Sequence, residues 1–204
     1  MEESFGMFDS LDAYESCGFE DCCFFTGHRK IPVSIKHELV TKLKSRISYL
    51  YSLGVKKFRT GGALGFDTIA AGIVFDMRRN HPDMKLILTL PYDNQVYHWQ
   101  EDDIDKYNFL KENADEVEYL YKGNALTRDE ACKLLFERNR LMVDKSFYCI
   151  SYYNGHSRSG TGYTLKYAKS KGCTVFNIND EIKHTEKSRI EEENGTQRLH
   201  SNED

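Results

Sequence analysis

The stretch Thr60-Gly61-Gly62-Ala63-Leu64-Gly65-Phe66-Asp67 decides how this chain is read. It follows a short run, Val55 to Arg59, whose β-formers are Val55 and Phe58, and it opens an apolar segment expected to be helical from Leu64 to Asn80. Three glycines at a strand-to-helix turn let backbone N–H groups come close to a ligand. The helix N-terminus behind them favours an anion, because its first N–H groups lack partners and its dipole is positive there. The same turn can also serve only to pack a helix on a sheet, so the rest of the chain has to decide between the two readings.

Outward from this turn the pattern alternates. Strands are expected at Cys22 to Phe25, Val55 to Arg59, Met84 to Leu90, Glu116 to Leu120, Ser146 to Tyr152 and Cys173 to Ile178. Helices are expected at Ile31 to Leu53, Leu64 to Asn80, Gln95 to Asn113, Thr127 to Val143 and Thr161 to Lys171. The first has Ile35, Leu39, Leu43, Ile47 and Leu50 near helical spacing and Gly54 as its stop. The third is polar and expected on the surface. The fourth begins with Thr127 and Glu130 at capping-box spacing. Strands separated by helices imply an α/β, doubly wound, mainly parallel sheet of about six strands with helices on both faces.

Ligands of such sheets bind beyond the carboxyl ends of the strands. The residues there are unusual ones: Thr26-Gly27-His28-Arg29 after the first strand, the Thr60 to Asp67 turn after the second, Pro91-Tyr92-Asp93 after the third, and Asn154 to Gly162 after the fifth. Two glycine-rich turns and a cationic turn converging on one edge point to a phosphate-bearing ligand. Gly160, Thr161 and Gly162 offer backbone donors at a helix start, where Ser159 also serves as a cap. Arg29 can grip phosphate bidentately. His28 can touch phosphate or ribose, or move a proton near neutral pH. Asp67 suits a helix first turn and can also accept from a ribose hydroxyl or orient Arg29. Tyr92 and Trp99 can stack on a base or pack as a lid.

The chain has 204 residues, 40% hydrophobic content and a formal net charge of -4. That suits one well-buried domain at residues 21–179, with an extension at 1–20 and a polar, disordered tail at 180–204. The acidic balance disfavours nucleic acid, leaving Lys42, Lys44, Arg46, Arg78 and Arg79 as the only basic hints. No apolar run approaches the ~20 residues that span a bilayer. The start of the chain lacks the pattern of a secretion signal. Six cysteines without a paired C-x-x-C set argue against a metal site and fit a reducing cytoplasm.

Taken as an ordered set, Thr26-Gly27-His28-Arg29, Gly61-Gly62-Ala63-x-Gly65-x-Asp67, Leu90-Pro91-Tyr92, Arg138-Asn139 with Met142-Val143-Asp144, and Ser159-Gly160-Thr161-Gly162 resemble the YpsA-like branch of the SLOG superfamily, over roughly Cys22 to Ile178. The resemblance implies a Rossmann-like fold that binds a nucleotide or an NAD- or ADP-ribose-like derivative, as a homodimer. It brings Arg138 and Asn139 into the site, joining Thr26, Gly27, His28, Arg29, Gly61, Gly62, Ala63, Gly65, Asp67, Pro91, Tyr92 and Ser159 to Gly162.

The superfamily also holds the LOG phosphoribohydrolases and the DNA-processing protein DprA. Two alternatives follow, a nucleoside-phosphate or NAD-derivative hydrolase and a single-stranded DNA binder. Against hydrolysis, Lys166 stands where the LOG pattern has its catalytic Glu, and an ammonium cannot replace a carboxylate that stabilises an oxocarbenium-like centre. His28, Asp67 and Arg138 are the remaining catalytic candidates, and Asp67 or Asp144 could supply the missing carboxylate.

Overall fold

The structure is a computed structural model that describes residues 19–123, 127–155 and 159–185. Its centre is a six-stranded sheet in the order β4-β3-β2-β1-β5-β6. The strands are β1 (Cys22–Gly27), β2 (Lys57–Thr60), β3 (Lys85–Leu90), β4 (Glu116–Tyr119), β5 (Tyr148–Tyr152) and β6 (Thr174–Asn177). Every neighbouring pair is parallel, with Phe24 of β1 opposite Arg59 of β2 and Cys149 of β5. A parallel sheet covered on both faces explains why β1 and β3 read as nearly unbroken apolar runs rather than alternating ones.

The helices are α1 (Lys36–Ser52), α2 (Phe66–Met77), α3 (Glu101–Glu112), α4 (Arg128–Asp144) and α5 (Gly160–Ser170). On one face α1 buries Leu39, Leu43, Ile47 and Leu50, and α2 buries Ala70, Ala71 and Val74, against Cys23, Phe25 and Phe58 of the sheet. On the other face Met142 and Val143 of α4 and Leu165 and Ala168 of α5 pack on Phe24 and Cys149. Alternate residues of β1 thus face opposite cores, as the two-residue strand period requires. The chain winds from β1 to β4 in one direction, then returns through α4 to place β5 on the free side of β1. The winding direction reverses between β1 and β5.

Three boundaries differ from expectation. Pro32 holds an extended backbone (φ -59°, ψ 136°), so α1 begins at Lys36 after a short 3-10 turn at Val33–Ile35. Residues 92–99 form turns, and α3 starts only at Glu101. Its first turn carries Glu101, Asp102 and Asp103, which complement the positive end of the helix dipole. Nor is α3 wholly superficial, since Tyr107 and Leu110 are buried. Finally, residues 178–185 are helical: Ile178 and Ile182 enter the core and Glu181 pairs with Arg46 at 2.8 Å. Packing therefore continues past the boundary expected at residue 180. The rest of the expected tail, 186–204, and nearly all of the expected extension, 1–18, lie outside the described residues. Among the described residues no helix is long and apolar enough to cross a membrane, and no group of side chains is arranged to hold a metal.

Candidate functional site

Beyond the carboxyl ends of β1 and β5, where the sheet's winding reverses, lies a cleft of about 370 Å³. Open α/β sheets bind ligands at this position. Thr26 and Gly27 form its floor, His28, Arg29, Ala63 and Asp67 one side, and Ser159, Gly160 and Thr161 the other. Arg138 and Asn139 enter from α4. Eleven of the residues expected in the site therefore line one cleft. Gly61, Gly62, Gly65, Pro91, Tyr92 and Gly162 do not, although Tyr92 lines an adjoining lobe.

The glycine turn after β2 acts mainly on its surroundings. The Gly62 N–H donates to Thr60 Oγ1 at 3.3 Å, and the N–H groups of Gly61 and Ala63 serve the Asp67 carboxylate. Gly65 has φ 80°, and a Cβ there would strike the Arg29 carbonyl. Next to it, the Phe66 N–H donates to the His28 carbonyl at 3.2 Å. The turns after β1 and β2 are thereby braced against each other. The Gly61 carbonyl accepts from Arg138 Nη1 at 2.5 Å, and a Cβ on Gly61 would occupy the guanidinium's place.

Arg138 is buried, at 5% exposure, and is held from several sides. Besides Gly61, Nη1 reaches the Thr89 carbonyl at 3.4 Å, and Nε donates to Asn139 Oδ1 at 2.9 Å. Asn139 Nδ2 donates to Thr164 Oγ1 at 2.9 Å, and that hydroxyl donates to the Gly160 carbonyl at 2.9 Å. A continuous chain of hydrogen bonds thus ties the guanidinium to the first turn of α5. Burial lowers the Arg138 pKa, with Asp67 opposing that effect.

Asp67 is buried at 5% exposure. Desolvation pushes its carboxyl up to about 6, against the pull of Arg138, the Ala63 N–H, Arg29 and the Gly61 N–H. A carboxyl of this kind changes charge near neutrality. Arg29 sits exposed on the rim with no hydrogen-bond or ion-pair partner among the described residues. His28 Nε2 lies 2.8 Å from Asn154 Oδ1, and its ring packs on Tyr152 and Tyr153.

At the opposite wall Ser159 caps α5 by accepting from the Gly162 N–H at 3.0 Å. Gly160 and Thr161, in the first turn of α5 where backbone N–H groups lack helical partners, line the cleft. Residues 156–158, part of the turn expected to matter here, lie outside the described residues. Asp144, at the far end of α4, accepts from Tyr167 Oη at 2.9 Å and does not line the cleft, and Lys166 is exposed on α5.

Sequence reasoning missed the wall made by Cys132, Leu135 and Phe136, which Met142, quoted in the resemblance but not placed in the site, completes. Its signal is visible on α4, where Cys132, Phe136 and Asn139, and Leu135, Arg138 and Met142, recur at helical spacing. Phe136 is 43% exposed, unusual for an aromatic beside a core.

Residues 18–180 match the family described as the YspA SLOG family. The chain belongs to that family. It is similar to a UPF0398 protein of Bacillus cereus (strain B4264), 32% identical over 111 residues, a match covering 54% of this chain and 58% of the relative. The fold is similar to that of DprA from Streptococcus pneumoniae, with a TM-score of 0.56 and 18% identity over 79% of this chain and 50% of that one. It is also similar to Helicobacter pylori DprA, reported with a single-stranded DNA binding mode, at a TM-score of 0.55 and 16% identity over 83% and 74% of the two chains. At these identities the likeness establishes the Rossmann-like fold.

Proposed function

We propose that this YspA SLOG protein binds a phosphate-bearing nucleotide or nucleotide derivative, of the nucleoside phosphate, NAD or ADP-ribose kind, in the cleft between β1 and β5. One observation supports the reading: Arg29, Arg138 and the first-turn residues Gly160 and Thr161 of α5 all line the same space. Two cations and a helix N-terminus favour an anion, and burial strengthens the attraction of Arg138.

Calorimetry with ADP-ribose and nucleoside monophosphates, on the wild type and on Arg29→Ala and Gly160→Asp, tests this. A Cβ at Gly160 meets nothing within 4 Å among the described residues, so an aspartate can start there and add negative charge. Both variants should fold and lose binding; folded variants with full affinity would place the pocket elsewhere. Native mass spectrometry of freshly purified protein reads a retained ligand and the expected homodimer together.

Two other readings have specific support. Asp67 is a carboxyl in the cleft with a pKa suited to proton transfer, which favours a hydrolase of N-glycosidic or phosphate bonds. Unchanged nucleoside monophosphates and NAD after incubation at high protein concentration would reject it. Single-stranded DNA is supported by the DprA likeness and by a groove open along the sheet edge. This weighs against setting nucleic acid aside on net charge alone. Such binding should weaken steeply with salt.

A further inference from the structure

A second cleft of about 390 Å³ adjoins the first and shares Arg29, Ala63, Leu135 and Arg138 with it. Its outer walls differ in chemistry. They are made of Tyr92, His98 and Trp99, together with Leu64, Gln95, Gln100 and Asp103. The loop at 92–99, expected to be helical from Gln95 onward, instead folds as turns that carry these rings to the sheet edge. Trp99 is held in place from behind, its ring packing edge-on against the buried Tyr107 at 5.7 Å between centroids. Gln95 is held as well, its amide lying 3.5 Å from the Gly61 carbonyl, the same oxygen that anchors Arg138. Aromatic rings with the held Gln95 amide beside them match a planar heterocycle, whose faces stack and whose edges hydrogen-bond. The two arginines stand at the junction, where the ligand's charge has to be.

We infer that the Tyr92–Trp99 lobe is a base-binding subsite, so that the ligand of this protein spans both lobes, with its phosphate at the Arg29–Arg138 junction and its base stacked against Trp99. This rests on the phosphate reading of the first cleft and extends it. A sugar phosphate without a base would occupy only the first lobe. Base stacking on aromatic side chains contributes roughly 1–3 kcal/mol, which corresponds to about 5- to 150-fold in affinity.

Trp99 is the only tryptophan of the chain, so selectively excited tryptophan emission reports on this lobe alone. The full chain is titrated with ribose 5-phosphate, AMP and ADP-ribose, following calorimetry and Trp99 emission. The base-bearing probes should bind at least fivefold more tightly than ribose 5-phosphate and quench or shift the emission, whereas ribose 5-phosphate should bind and leave it unmoved. Trp99→Leu and, independently, Tyr92→Ala should bring AMP affinity down to that of ribose 5-phosphate without changing the latter. Equal affinity with and without the base, or AMP bound with silent Trp99, overturns the subsite and leaves the phosphate cleft standing. No binding of any of the three probes overturns both. Quenching by an oligothymidine with a steep salt dependence, and none by AMP, would assign the lobe to nucleic acid instead.

Discussion

Arg138 Nη1 and the Gly61 carbonyl oxygen are joined by a hydrogen bond that only a glycine at position 61 permits, because a Cβ there would overlap the guanidinium. Gly61→Ala should therefore displace Arg138 or distort the turn. The expected cost is about 1–3 kcal/mol of folding stability, from overpacking and a weakened buried hydrogen bond. Gly72 is the control. It lies within α2 with nothing near its would-be Cβ. Gly72→Ala should be neutral or stabilise by roughly 0.5–1 kcal/mol, since alanine loses less conformational freedom than glycine in a helix. Denaturant unfolding of the two variants tests the contrast, and equal stabilities would mean that Arg138 has room to move.

Asp67 gives the protein a pH dependence of defined sign. Its carboxyl is raised to about 6 in the folded chain from an ordinary value of 3.8, so between these values the folded state holds more protons than the unfolded one. Its contribution to stability therefore falls as pH rises from about 4 to about 6 and is level above that range. The separation corresponds to at most about 3 kcal/mol. Asp67→Asn should remove this component, so the stability of the wild type relative to the variant should rise as pH is lowered from 7 to 5. A pH-independent difference would show that Asp67 keeps its charge throughout. A second consequence concerns ligand. An anion entering beside an ionised Asp67 is repelled, so ADP-ribose binding should take up protons near pH 6. Calorimetry in buffers of different ionisation enthalpy measures that uptake.

The layout of the fold was legible because parallel strands buried on both faces leave continuous apolar runs, and because turns that face a ligand are rich in glycine and charge. Cys22 to Phe25 and Met84 to Leu90 showed the first property, and the turns after Phe25, Arg59 and Tyr152 the second. The capping box of Thr127 and Glu130 was read at the position where it occurs. What stayed hidden depends on contacts between distant parts of the chain. The Arg138–Gly61 bond joins positions 77 apart, and nothing local to either residue specifies it. The sequence alone suggested that the amides of Gly61 and Ala63 face a ligand, whereas in the folded chain they serve Asp67. The start of α3 was misplaced because Gln95 to Gln100 have no helix breaker, and the acidic first turn at Glu101 to Asp103 is the sign that marks it.

Arg29 and Arg138 should separate binding from folding. Arg29 is exposed and has no hydrogen-bond or ion-pair partner among the described residues, so Arg29→Ala should change stability by less than about 0.5 kcal/mol. Its loss should still weaken ADP-ribose binding on the order of tenfold or more, the usual scale for a charge-assisted hydrogen bond. Arg29→Lys should recover only part of this, because an ammonium lacks the planar fork. Arg138→Ala, by contrast, leaves the Asp67 carboxyl buried with less compensation and should cost stability as well. Thermal unfolding and calorimetry on the three variants separate the roles, and unchanged affinity in Arg29→Ala would remove it from the site.

Asn139 acts on the site through its neighbours. Its side-chain oxygen accepts from Arg138 and its amide nitrogen donates to Thr164, whose hydroxyl donates to the Gly160 carbonyl. Both ends of the amide are thus committed to aligning the guanidinium with the α5 N-terminus. Asn139→Asp keeps the size and the acceptor for Arg138 but replaces the donor to Thr164 with an oxygen, and it adds a negative charge to the proposed anion-binding cleft. Asn139→Ala removes both bonds without adding charge. Each lost buried bond costs about 1–3 kcal/mol when a partner is left unsatisfied. Both variants should therefore be less stable than the wild type, and the aspartate should lose far more ligand affinity than the alanine. The affinity of the alanine variant should fall mainly through faster dissociation, because the charges remain in place and only their alignment is looser. Stopped-flow release of ADP-ribose followed on Trp99 measures this; where Trp99 gives no signal, surface-immobilised protein serves. A slower association with unchanged release would mean that Asn139 itself meets the ligand.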